Sequence, residues 1–130
     1  MASRLTTVVV DCTDAESLAA FWCAVLGYEV VEHNEEEGWL EIGPPGQQEK
    51  GPVPTLLFEN VPDPTPGKNK FHLDLNATDR DQDAELQRLL DLGATPTDVG
   101  QTGEESWHVL ADPEGNAFCL LRSTVAPHPS

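Results

Sequence analysis

Three polar residues at alternating positions, His72, Asp74 and Asn76, are the part of the chain best suited to chemistry. Residues two apart in an extended strand lie on one face, so the segment Lys70–Asn76 sets an imidazole beside a carboxylate. A neighbouring carboxylate orients a histidine ring and lets it serve as a general base near neutral pH. The competing reading is a hydrogen-bonded histidine inside a sheet. Leu73 and Leu75 fall on the opposite face, where they should meet a helix. Glu59 is the only carboxylate in the strand pattern Thr55–Asn60, and reads as a ligand, a base or a surface group at a strand end. Trp39 and Trp107 offer flat apolar surface to a planar ligand, or simply pack at matching positions of a repeat. Trp22 belongs to a helix stripe and reads as core.

Other reactive groups are sparse. Cys12, Cys23 and Cys119 are an odd set without CxxC spacing, which argues against a disulfide framework or a structural zinc site. Cys119 lies within Phe118-Cys119-Leu120-Leu121, an apolar setting in which cysteine is more often inert than paired with a histidine as a thiolate. His33, His108 and His128 carry little weight. The chain holds no GxSxG nucleophile elbow, glycine-rich phosphate loop or dinucleotide fingerprint.

These residues need a scaffold of strands and helices. In the first helix Leu18, Phe21, Trp22, Val25 and Leu26 repeat at helical spacing, Thr13 and Glu16 read as a capping box, and Gly27 closes it. The second helix opens at Asp79 or Asp81, carries Leu86, Leu89 and Leu90, and ends at Gly93. Around the first helix, Leu5–Cys12, Tyr28–His33, Trp39–Ile42 and Thr55–Asn60 read as strands. Around the second, Lys70–Asn76, Thr95–Val99, Trp107–Ala111 and Ala117–Arg122 do the same. Each half is strand, helix, three strands, an internal repeat. Residues 43–67 hold 11 of the 21 Gly and Pro residues, so Gly43-Pro44-Pro45-Gly46 begins a surface loop between strands and Val61–Gly67 links the halves. In the second half the tight turn Asp112-Pro113-Glu114-Gly115-Asn116 takes the place of the long loop.

The 130 residues suffice for one domain with a core. With 23 Asp and Glu against 7 Lys and Arg, the net charge of −16 excludes nucleic acid as a partner and repels anionic membranes. Apolar runs such as Val8-Val9-Val10 fall far short of the roughly 20 residues a membrane helix needs. The opening Met1-Ala2-Ser3-Arg4 lacks a signal-peptide pattern, so the expected compartment is the cytoplasm.

Phe21-Trp22 before Leu26-Gly27, His72-Leu73-Asp74-Leu75, Leu92-Gly93-Ala94 and the Asp112–Asn116 turn, taken in order, resemble the glyoxalase-like branch of the vicinal oxygen chelate superfamily. The resemblance runs from about Leu5 to Arg122. It implies an α+β fold of two βαβββ modules, residues 5–60 and 70–122 of a single domain 1–123, forming a curved mixed sheet around a cavity, with 124–130 a disordered tail. Relatives include glyoxalase I, extradiol dioxygenases and bleomycin resistance proteins, and share a fold rather than a reaction. Their metal ligands map onto Thr7, Glu59, His72 and Cys119. A threonine and a thiol among four positions depart from the family's N/O donors, so no tightly held cofactor is expected, only a weakly bound divalent metal at most.

Two functions stay open. One is an enzyme related to the lyases, isomerases and dioxygenases of the superfamily, acting on a small oxygenated metabolite with His72 and Asp74 as catalytic groups. The other is a metal-free protein that sequesters a small molecule. In either case Glu59, His72, Asp74 and Trp107 are expected to flank the ligand. By analogy with the family, a homodimer is expected.

Overall fold

The computed structural model describes residue 2 and residues 4–47, 51–62, 71–97 and 105–127. The chain divides into two compact units, residues 1–65 and 66–129, and the two carry the same plan.

In the first unit the run of β-branched residues in Thr7–Cys12 forms strand β1. Helix α1 follows at Ala15–Leu26, then β2 (Glu29–Asn34), β3 (Trp39–Gly43) and β4 (Thr55–Asn60). The sheet order is β1-β4-β3-β2, with β1 and β4 parallel and the other pairs antiparallel. The apolar stripe of α1 buries Leu18, Phe21, Trp22 and Val25 near Leu40, Ile42 and Phe58. Phe21 and Trp22 meet edge to face at 5.2 Å. Each fully buried side chain of this size contributes about 1.5–3 kcal/mol relative to exposure. The cap of α1 differs from the expected Thr13–Glu16 box. Asp14 is the N-cap, accepting from the Ser17 amide at 3.2 Å and the Ser17 hydroxyl at 2.8 Å. Gly27 ends the helix at φ 71°, where a Cβ would be strained.

The second unit repeats the order as β5 (Leu73–Leu75), α2 (Gln82–Leu92), β6 (Thr95–Pro96), β7 (His108–Ala111) and β8 (Ala117–Leu120). Its sheet runs β5-β8-β7-β6, again with the first strand parallel to the last. The expected α+β class and the two βαβββ modules are therefore present. Asp81, rather than Asp79, caps α2 by accepting from the Ala84 amide at 2.8 Å. Asp79 instead holds Arg80. Leu89 is fully buried, but Leu86 and Leu90, expected in the core, are only half-buried. Glu85 takes the buried place, held by Arg88 through two contacts of 2.7 Å.

Several strands are shorter than the sequence pattern suggests, while β2 and β3 run one residue further, to Asn34 and Gly43. The strands expected at Leu5 and Ala117–Arg122 cover only Thr7–Cys12 and Ala117–Leu120. The expected Lys70–Asn76 strand covers Leu73–Leu75, with Lys70 outside the described residues. β6 holds only Thr95–Pro96, and Asp98 and Val99 lie outside the described residues. The Asp112 turn forms as expected: the Asp112 carboxylate accepts from the Glu114 and Asn116 amides, both at 2.9 Å. Among the described residues no helix is long and apolar enough to cross a membrane.

Candidate functional site

In the second unit β5 alternates as expected: Leu73 and Leu75 are half-buried, and Asp74 between them is exposed. His72, one residue before the strand, turns to the same side as Asp74, with Nε2 3.1 Å from Asp74 Oδ1. Both side chains are half exposed, at 51% and 50%. A contact this exposed contributes at most about 1 kcal/mol even with a charged ring. The parallel ladder sets Cys119 opposite Asp74. The donor atoms of His72, Asp74 and Cys119 lie within 4.8 Å of one another. Burial pushes the Cys119 thiol up from its ordinary value, and the Asp74 carboxylate adds to this by repelling a thiolate and accepting the S–H. Asp74 thus stands between an imidazole and a protonated thiol. Asn76, on the same strand face by alternation, donates to the Ser123 carbonyl at 2.9 Å and is structural. Trp107 is 42% exposed, just ahead of β7.

In the first unit the expected ligand positions do not converge. Thr7 stands opposite Thr55, while Glu59 stands opposite Asp11 and Trp39. Thr7 and Glu59 are therefore separated by four strand residues, about 13 Å. Register explains the separation. Leu73 pairs with Phe118, so His72 comes level with Ala117, and Cys119 lies two steps on. By the same relation, the residue that stands to Thr7 as Cys119 stands to His72 is Leu57, which ligates nothing. Of the four positions, only His72 and Cys119 meet within one unit, and their third partner is Asp74.

Two features of the first unit escaped sequence reasoning. Glu41, on β3 between Leu40 and Ile42, is only 3% exposed and accepts from the Thr55 hydroxyl at 2.5 Å. The alternation of β3 puts it on the face opposite Leu40 and Ile42, a signal present in the sequence but overlooked. His33 lies 3.8 Å from Glu16, and with Glu35 these form a second set of metal-type donors. They border a cavity of about 250 Å³ at the start of α1, also lined by Trp39 and Asn60. All three are exposed, and linking α1 to β2 required knowing the fold.

A family model described as a glyoxalase-like domain matches residues 7–121. No curated protein matches the chain. Among solved structures, a glyoxalase/bleomycin resistance protein/dioxygenase family enzyme from Burkholderia phytofirmans PsJN is 19% identical with a TM-score of 0.64, over 91% of this chain and 97% of that one. A variant of the fosfomycin resistance protein FosX from Listeria monocytogenes, complexed with Mn(II) and 1S,2S-dihydroxypropylphosphonic acid, is 15% identical with a TM-score of 0.70, over 96% and 94%. A possible glyoxalase from Bacillus cereus is 11% identical with a TM-score of 0.65, over 92% and 99%. At these identities the likeness is one of fold.

Proposed function

The chain belongs to the glyoxalase-like domain family, and on that premise we propose that it takes a small oxygenated molecule at the face bearing His72, Asp74 and Cys119, with His72 as the proton-accepting group. The observation that carries this reading is the 3.1 Å approach of His72 Nε2 to Asp74 on a half-exposed strand end. With Nε2–H directed at the carboxylate, the Nδ1 lone pair is left for a ligand proton. Asp74 orients the ring and fixes its tautomer. Trp107 supplies apolar surface beside β7. Glu59 belongs to the first unit, and its part in ligand binding is read through Glu59→Gln.

The Mn(II) held by the FosX relative does not fit the donors available here. Manganese favours oxygen and nitrogen ligands, whereas this set offers one imidazole, one carboxylate and a thiol whose proton is held by burial and by Asp74. No step is therefore routed through a metal. The net charge of −16 works against a phosphonate at this face.

A second reading, sequestration without turnover, is favoured by the same protonated thiol, since the cluster then holds no activated nucleophile. Each sheet also ends in edge strands, β1 and β2 in one and β5 and β6 in the other, which gives a physical motive for a homodimer. Light scattering at micromolar concentration tests that point.

The test of the site uses washed protein after dialysis against Zn²⁺, Ni²⁺, Mn²⁺ and Fe²⁺. Elemental analysis should find metal well below one equivalent in wild type. Near-stoichiometric metal that vanishes in His72→Ala would replace this reading with a metalloenzyme. Trp fluorescence against small aromatic and dicarbonyl compounds should then give binding that is lost in His72→Ala. Binding that survives His72→Ala unchanged would remove His72 from the site.

A further inference from the structure

The donor set of the second unit disagrees with the Mn(II) of the FosX relative, and the disagreement points to a different class of cation. Three unlike groups converge there: the imidazole of His72, the carboxylate of Asp74 and the sulfur of Cys119, all within 4.8 Å of one another. The backbone fixes this convergence. The parallel ladder pairs Asp74 with Cys119, and His72 reaches Asp74 at 3.1 Å from two residues before it. Cys119 is nine-tenths buried, and its S–H is donated to Asp74, which aims the sulfur at the cluster. In a tetrahedral zinc site, with Zn–S about 2.3 Å and Zn–N about 2.0 Å, such donors stand about 3.5 Å apart. His72 and Asp74 are half exposed and have room to close to that spacing around an ion.

A thiolate with an imidazole selects zinc-like ions over magnesium, calcium or manganese. The carboxylate acts in the same sense. Asp74 repels a bare thiolate, but a dication between the two is attracted by both. Such an ion therefore exchanges with the thiol proton: the S–H bond breaks, a sulfur–metal bond forms, and the proton leaves to solvent. Because a proton competes for the sulfur and two of the three donors are open to water, occupancy needs free ion and is lost on washing. The ion also acts on His72. A neutral imidazole carries one lone pair. An ion on either ring nitrogen takes it, and the ring's one N–H is left on the other nitrogen, so His72 can then donate but not accept.

We infer that His72, Asp74 and Cys119 form a reversible site for a thiophilic divalent cation of the zinc and cadmium class, and that its occupancy switches His72 off as a proton acceptor. The switch rests on the reading of His72 as the proton-accepting group; the cation site does not.

The test titrates Cd²⁺ into the full chain and follows the ultraviolet sulfur-to-cadmium charge-transfer band. Among the described residues the other donor set, Glu16, His33 and Glu35, holds no sulfur, and Cys12 and Cys23 belong to no such set. Cys23→Ser should therefore leave the band intact and Cys119→Ser should abolish it, with circular dichroism confirming the fold of each. Even outer partners of a metal site are worth about 10–100-fold in affinity, so His72→Ala should weaken Cd²⁺ at least about tenfold. Zn²⁺ should displace Cd²⁺, and Mn²⁺ at the same concentration should not. The NMR signals of the His72 ring should move with pH in the free chain and stay fixed with Cd²⁺ bound. A compound whose binding depends on His72 should be released by Cd²⁺ and recaptured on chelation. No band, an affinity unchanged by His72→Ala, displacement by Mn²⁺, or a His72 ring that still titrates with Cd²⁺ bound would each overturn the inference. Absence of the band with His72-dependent binding of a small molecule intact would overturn it while leaving the proposed ligand site standing. The band with a fixed ring, alongside small-molecule binding indifferent to His72→Ala, would remove that ligand site and uphold the cation site.

Discussion

Replacing Thr55 by valine keeps the shape of the side chain and removes one oxygen, so its cost isolates the hydrogen bond to Glu41. Thr55 and Glu41 are 1% and 3% exposed, and water does not readily replace the lost hydroxyl. A hydrogen bond to a charged group contributes about 1.5–3 kcal/mol, and a buried acceptor left without its donor bears its full desolvation penalty. Thr7 is half-buried, so its hydroxyl can turn to solvent at little cost. The expected loss for Thr55→Val is therefore about 2–3 kcal/mol. Removing both ends should behave differently. Glu41→Leu in the Thr55→Val background replaces a polar pair by apolar groups, a change that is often close to neutral. Most of the stability should return, giving a coupling energy of at least about 1 kcal/mol between the two sites. Urea unfolding followed by Trp fluorescence measures all four corners of the cycle. A loss below about 0.5 kcal/mol for Thr55→Val, the range of ordinary surface changes, would refute the reasoning. So would a double variant no more stable than Thr55→Val alone.

Phe58→Ala and Leu89→Ala each empty a fully buried site, one per unit, and should cost about 3–5 and 2–5 kcal/mol respectively in the same urea assay. Asp14 has its carboxyl held below the usual range by the Ser17 hydroxyl and amide. A lowered folded pKa means its stabilising effect is present above the ordinary carboxylate pKa and fades as pH falls through the lowered value. The melting-temperature gap between wild type and Asp14→Ala should therefore be full at neutral pH and close in acid. The Cys119 thiol is raised by burial and by Asp74, so Asp74→Asn should lower its pKa, increase the thiolate fraction at mildly alkaline pH and speed its alkylation, as read by peptide mass mapping. An unchanged rate would mean that burial alone sets the thiol.

Periodicity within single segments was legible, and relations between strands were not. Leu18, Phe21 and Val25 repeat at helical spacing and are buried. Leu86 and Leu90 also repeat, yet are half-buried, while Glu85, held by Arg88, takes a buried place. Thr13 and Glu16 match a capping box as letters, but Asp14 lies one residue closer and uses Ser17. The strand ends were overestimated because an alternating pattern continues past the last ladder partner. Alternation did place His72 and Asp74 on one side. It had no access to the parallel register that brings Cys119 opposite Asp74 and sends Glu59 to Asp11.

That register makes Asp74 the pivot of the second-unit cluster. One carboxylate has two neighbours, His72 at 3.1 Å and Cys119, whose thiolate it disfavours. The cluster therefore resists the thiolate–imidazolium exchange that a cysteine nucleophile needs, because a thiolate would form beside the carboxylate. What remains available is proton exchange at the outer nitrogen of His72. This is why the proposed chemistry is assigned to the imidazole, and why Cys119 is read as the packed and protonated support beneath it.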